Sequence, residues 1–123
     1  MQYAILCYHD ENVVSAWSKA EDEAVMAKLA VVQEKLAKAG KLGPVVRLLP
    51  TTAATTLRKD REPALVIDGP FAETKEQLLG FYVVDCASLE EVLEIARELG
   101  AANPGGAYEI RPIGIFNAGS AHA

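Results

Sequence analysis

Twice in this chain an apolar strand leads into a helix that opens on a serine with a glutamate three residues later, and that repeat constrains the fold most. The first helix opens at Ser18 with Glu21, the second at Ser88 with Glu91. In such a capping box the hydroxyl accepts the N–H of the third helical residue while the carboxylate returns to the cap N–H, so local chemistry fixes where the helix starts. Behind Ser18, Val25, Leu29, Val32 and Leu36 recur at steps of four, three and four and line one face. Gly40 beyond them suits the left-handed C-terminal conformation. Behind Ser88, Leu89, Val92, Leu93, Ala96 and Leu99 make a second stripe that ends at Gly100. Residues 2–8, closed by the turn-forming His9, Asp10, Glu11 and Asn12, form the strand before the first helix. Residues 78–86 form the strand before the second.

Between the two units, residues 45–49, 51–58 and 64–67 are rich in Val, Leu and Thr and broken by Pro50 and Pro63, which predicts short strands in hairpins. Residues 107–116, after Asn103-Pro104-Gly105-Gly106, predict a last strand, with Pro112 tolerable at a sheet edge. Two strand–helix–strand units packed side by side give an α+β fold of the ferredoxin-like split βαβ kind, with the middle hairpins as an insertion. Residues 1–116 are expected to form one domain, and the small, polar tail, residues 117–123, to be disordered. Residues 78–86 and the first strand are apolar on both alternating faces. Two helices cover one face of a sheet, so the other calls for a second copy of the chain, and a homodimer is expected.

Net charge is −5, with the signs interspersed, and no cationic cluster is available to hold a phosphate backbone, which disfavours nucleic acid. No apolar run reaches the roughly 20 residues that span a bilayer, so no membrane partner is expected. Cys7 and Cys86 each sit in an apolar run and read as buried free thiols of a cytoplasmic protein. Their strands read as parallel neighbours, which would bring the two thiols close, although nothing nearby lowers a thiol pKa. No dinucleotide fingerprint, phosphate loop or nucleophile elbow occurs, so no cofactor is expected. His9, Asp10 and Glu11 are consecutive and point to alternate sides, and the other histidine, His122, is in the tail; no metal site is expected.

The densest ionisable segment is Asp68-Gly69-Pro70-Phe71-Ala72-Glu73-Thr74-Lys75-Glu76. Together with Leu49-Pro50-Thr51-Thr52-Ala53-Ala54-Thr55-Thr56-Leu57-Arg58, Ser88-Leu89-Glu90-Glu91 and Tyr108-Glu109-Ile110-Arg111-Pro112-Ile113, in that order, it resembles the YCII-related family, in the branch marked by a DGPF motif. The resemblance implies a dimeric α/β-barrel of ferredoxin-like subunits. It also implies a pocket in which some members pair a His with an Asp, and an association of this branch with alternative sigma factors. The family's His lies on the first helix; here residues 19–39 hold none, and Met26 and Leu29 stand on the apolar face.

Asp68 is the leading candidate acid, since a carboxylate at a strand end beside a glycine suits a general base or a binding anchor. Its other reading is an Asx turn, with the carboxylate accepting backbone N–H groups. His9, at the end of the first strand, is the candidate partner, because imidazole exchanges protons near neutral pH; its bland reading is a capping residue. Phe71 reads first as a core anchor and second as a contact for a ligand. Glu73 and Lys75 read as a solvated loop or as the rim of a pocket. Arg58 and Arg111 suit a carboxylate or phosphate held bidentately, or cross-strand ion pairs. The expected function is cofactor-free proton transfer on a small polar or aromatic molecule, with Asp68 and His9 catalytic and Phe71, Glu73, Lys75 and Arg58 binding. The alternative is a regulatory module that binds a ligand or a protein, such as a sigma factor, without turnover.

Overall fold

The computed structural model describes residues 1–121. Strand β1 (Gln2–Asp10) leads into the short helix α1 (Glu11–Ser15) and the long helix α2 (Lys19–Lys38). Then follow β2 (Leu42–Arg47), a 3-10 turn (Thr51–Ala53), β3 (Thr55–Arg58), β4 (Leu65–Asp68), β5 (Glu76–Asp85), α3 (Leu89–Ala102) and β6 (Ala107–Pro112). The main sheet has the order β2-β5-β1-β6, every neighbouring pair antiparallel, while β3 and β4 form a separate two-stranded sheet. That is the split βαβ order, with the β3–β4 hairpin inserted between β2 and β5.

The helix ends follow from the sequence. Ser18 Oγ accepts the Glu21 N–H at 3.0 Å and Glu21 Oε1 accepts the Ser18 N–H at 3.2 Å, so both arms of the capping box close. At the other end Gly40 adopts φ +72°, and the N–H groups of Gly40 and Lys41 bond Ala37 O and Leu36 O. These two bonds satisfy carbonyls that the helix leaves open. Leu29 and Leu36 are buried, with Val25 and Val32 packed beside them, as their spacing requires. From α3 come Val92, Ile95, Ala96, Leu99 and Ala102, and from the sheet Tyr3, Ile5, Tyr82 and Val84. The core therefore lies between the helices and one face of the sheet.

Several expectations are corrected. The residues after β1 are not a loop: the Asp10 carboxylate accepts the Asn12 N–H at 2.9 Å and starts α1, a one-turn helix too short to carry a periodic signal. The last strand ends at Pro112 and not at Phe116: the Ile113 N–H still bonds Gln2 O at 2.9 Å, and there the partner strand β1 itself begins. Cys7 and Cys86 are not neighbours. Strands β1 and β5 run antiparallel, Cys7 pairs with Gly80, and Cys86 donates its N–H to Met1 O at the far end of β1. Phe71 is no core anchor, being 75% exposed. His122 and Ala123 lie outside the described residues, and 117–121 belong to no helix or strand.

Candidate functional site

Alternation along β1 points every second side chain toward the helices. Tyr3, Ile5 and Cys7 face the helices, and His9, two residues on, continues that row. It lines a cavity of about 130 Å³ between the sheet and α2, walled by Trp17, Met26, Leu29, Tyr82 and Tyr108 among others. The imidazole meets Trp17 edge-on, centroids 6.3 Å apart. Gly105 and Gly106 make its floor: a Cβ on Gly105 would stand 2.6 Å from His9 Nε2, and one on Gly106 2.2 Å from Tyr8 O. Both also take positive φ, so this turn admits the ring because neither residue has a side chain.

Three ionisable groups of this cavity, His9, Asp22 and Arg47, already have partners. His9 Nδ1 accepts the Asp10 N–H at 2.7 Å, so in this arrangement Nε2 carries the ring proton. Asp22 of α2 and Arg47 of β2 pair through two bonds of 3.0 and 3.4 Å. Burial pushes the Cys7 thiol up to about 11. Burial also raises the Tyr82 hydroxyl, which accepts from Gln33 Nε2 at 3.4 Å, and raises Tyr108 further. Two buried polar atoms are left without a hydrogen-bond partner among the described residues, Asn103 Oδ1 and the Tyr108 hydroxyl.

Asp68 lies elsewhere. With Glu73, Lys75, Asp10, Thr51 and Thr52 it lines an open cleft of about 500 Å³ at the rim. The Asx turn does not form: the turn is fastened through Gly69, whose N–H bonds Ala54 O at 2.8 Å and whose carbonyl accepts Thr56 Oγ1 at 2.9 Å. Among the described residues no hydrogen bond reaches the Asp68 carboxylate. Gln77 steadies the loop by donating to Ala72 O and Thr74 O at 3.2 and 3.0 Å. Glu11 closes the other wall by taking both the N–H (2.8 Å) and the hydroxyl of Thr51.

The sequence-derived set thus divides in three. Asp68, Glu73 and Lys75 share the rim cleft, while His9 stands in the inner cavity. Arg58 and Phe71 meet each other, the guanidinium 5.2 Å from the ring centroid, and Arg58 also pairs with Asp60 at 3.2 Å. Tyr108, Asn103, Gln33 and Trp17 were missed. The glycine pair at 105–106 was their one visible signal, since adjacent glycines after a helix mark a close approach by something bulky. Among the described residues no three His, Cys, Asp or Glu side chains are placed to hold a metal ion. No helix there is long and apolar enough to cross a membrane.

A helix-backed antiparallel sheet with a small aromatic-lined cavity at one end, and an inserted hairpin leading to an acidic loop, defines a compact α+β domain. The chain belongs to the YCII-related domain family, whose model matches residues 1–117. An uncharacterized protein of Rhizobium meliloti (strain 1021) is 62% identical to it over 120 residues, 97% of each chain.

Proposed function

We propose that the chain binds a small ring molecule in the sheet–helix cavity and does not transform it. The state of His9, Asp22 and Cys7 carries the reading. A general base needs a free acceptor at working pH. Here His9 offers an N–H, Asp22 is neutralised by Arg47, and the Cys7 thiol is pushed far above neutrality. Such a lining orients a guest and polarises its carbonyl, but it takes no proton from it. The Asp68–Phe71 string favours the DGPF-marked branch of the family.

A second reading rests on the unbonded Asp68 carboxylate: proton transfer in the rim cleft, with Glu73 and Lys75 holding a polar substrate. Both are tested by incubating the full chain in D2O with small cyclic ketones, lactones and phenols while following protein amide shifts and solvent deuterium in the compounds by NMR. Binding without turnover predicts shifts at His9, Gly105 and Tyr108 and no deuterium uptake above the uncatalysed rate. Uptake lost in Asp68→Asn but kept in His9→Gln would move the chemistry to the rim. Uptake lost in His9→Gln would overturn the binding-only reading outright.

We further propose that two copies pair. Leu57 and Val66 are exposed on one face of the inserted hairpin and Leu65 and Ile67 on the other. A lone two-stranded hairpin is marginal in water, and a second copy supplies apolar cover for it.

A further inference from the structure

The geometry points to a face-to-face pairing of two inserted hairpins, run antiparallel, that sets Lys59 of one copy against Asp68 of its partner at each end. The inference rests on the reading that two copies pair, and it names the face, the orientation and the charges that align them. Register decides which side chains share a face. In the β3–β4 pair Thr55 stands opposite Asp68, and Leu57 stands opposite Val66 two residues nearer the tip, so these four point to one side. Thr56 with Ile67, and Arg58 with Leu65, point to the other.

The two sides are unequally covered. Leu57 and Val66 are 58% and 63% exposed, against 43% and 41% for Leu65 and Ile67. The side of Leu65 and Ile67 has part of a cover in Phe71, whose ring centroid lies 5.2 Å from the Arg58 guanidinium. The side of Leu57 and Val66 is the barer one, and it is the one that a second copy covers.

Charge selects the orientation. Along the barer side Asp68 stands at the base of the arm, Leu57 and Val66 in the middle, and Lys59, next in the row after Leu57, at the tip. At about 3.4 Å per residue the acid and the lysine each sit about 7 Å from the apolar pair, on opposite sides of it. Neither has an ion-pair partner among the described residues, whereas Asp60 of the same tip is taken by Arg58 and Arg61. A two-fold axis through the Leu57–Val66 pair lays these apolar pairs on one another and carries each Lys59 to the partner's Asp68, a self-complementary contact. Laid parallel, the same faces would set acid against acid and lysine against lysine, which like charges oppose. The rim cleft, lined by Asp68, Asp10, Glu11 and Glu73, thereby takes a cation from the second chain. The face is small beside the roughly 800 Å² per partner of a stable interface, so the pairing depends on concentration and its dissociation constant is measurable.

Sedimentation equilibrium tests this on the full chain, on Lys59→Glu, on Asp68→Lys and on the double variant, each checked for fold by circular dichroism. Either single change sets like charges face to face at both ends and should raise the dissociation constant about tenfold. The double variant exchanges the two charges and should return the constant to within about twofold of the unmodified chain. An equimolar mixture of the two single variants should pair more tightly than either alone, because each new charge then meets its opposite. Single variants that pair as tightly as the unmodified chain overturn the inference, as does a double variant no tighter than the singles. A single-chain mass for the unmodified protein at every concentration removes the pairing reading itself, an outcome distinct from the other two.

Discussion

Cys7 and Cys86 show how far the environment of one atom governs its behaviour. Both thiols are pushed from 9.0 up to about 11, mainly by burial; for Cys86 the neighbouring Glu91 adds to the rise. Neither should react appreciably with iodoacetamide at pH 7.5 in the folded chain, and both should react once it is unfolded in urea; rapid native labelling of either would contradict the burial. The same shifts set a pH dependence. A folded-state pKa above the unfolded one stabilises below the unfolded value and is lost as pH rises through the folded one. Stability should therefore fall between about pH 9 and 11, by on the order of 1–2 kcal/mol for each thiol, and the melting temperature with it. Cys86→Ala should flatten that fall, measured by thermal melts across the range. What sequence shows at this scale is residue type. That the thiols stand apart along the sheet follows from strand direction, a long-range property that the local pattern does not contain.

At the scale of elements, legibility followed locality. Helices α2 and α3 could be read because Ser18, Ser88 and the apolar stripes act within a few residues of one another. Helix α1 could not, since five residues give no period and its cap, Asp10, reads equally as a turn. The cavity was hidden for a related reason. It joins His9 of β1 to Tyr108 of β6 and to Asn103 at the end of α3, contacts that exist only once the sheet is assembled. Ser18→Ala should cost about 1 kcal/mol and lower the melting temperature by a few degrees. Gly80→Ala should cost more, about 2–3 kcal/mol, because a Cβ there would stand 2.2 Å from Val46 O and push β2 off β5. If thermal melts rank the two the other way, the close approach of those strands is not what limits Gly80.

For the whole molecule, the exposed arm is the most consequential surface. Val66 is 63% exposed and faces Leu57 across the β3–β4 pair. Light scattering coupled to size exclusion should give the mass of two chains. Val66→Asp should return the mass of one while leaving the circular dichroism spectrum unchanged. A single-chain mass for the unmodified protein at all concentrations would remove the assembly. The apolar run on both faces of β5 suggested this pairing from sequence, but it pointed at the sheet. The apolar exposure of the hairpin emerged only when β3 and β4 were seen to pair with each other and to leave the main sheet.

Leu79 is the residue of β5 without a partner in β1: Cys7 faces Gly80, and Tyr8 faces Leu78. The extra residue leaves the pairs on either side of it in place, Cys7 with Gly80 and His9 with Gln77, while β5 gains one residue of length and a local bend. Deleting Leu79 would therefore keep Gln77 opposite His9 and straighten the strand. What would change is the direction from which β5 meets the preceding loop, whose Ala72 and Thr74 carbonyls Gln77 holds. Leu79 acts as a bend that aims the acidic loop.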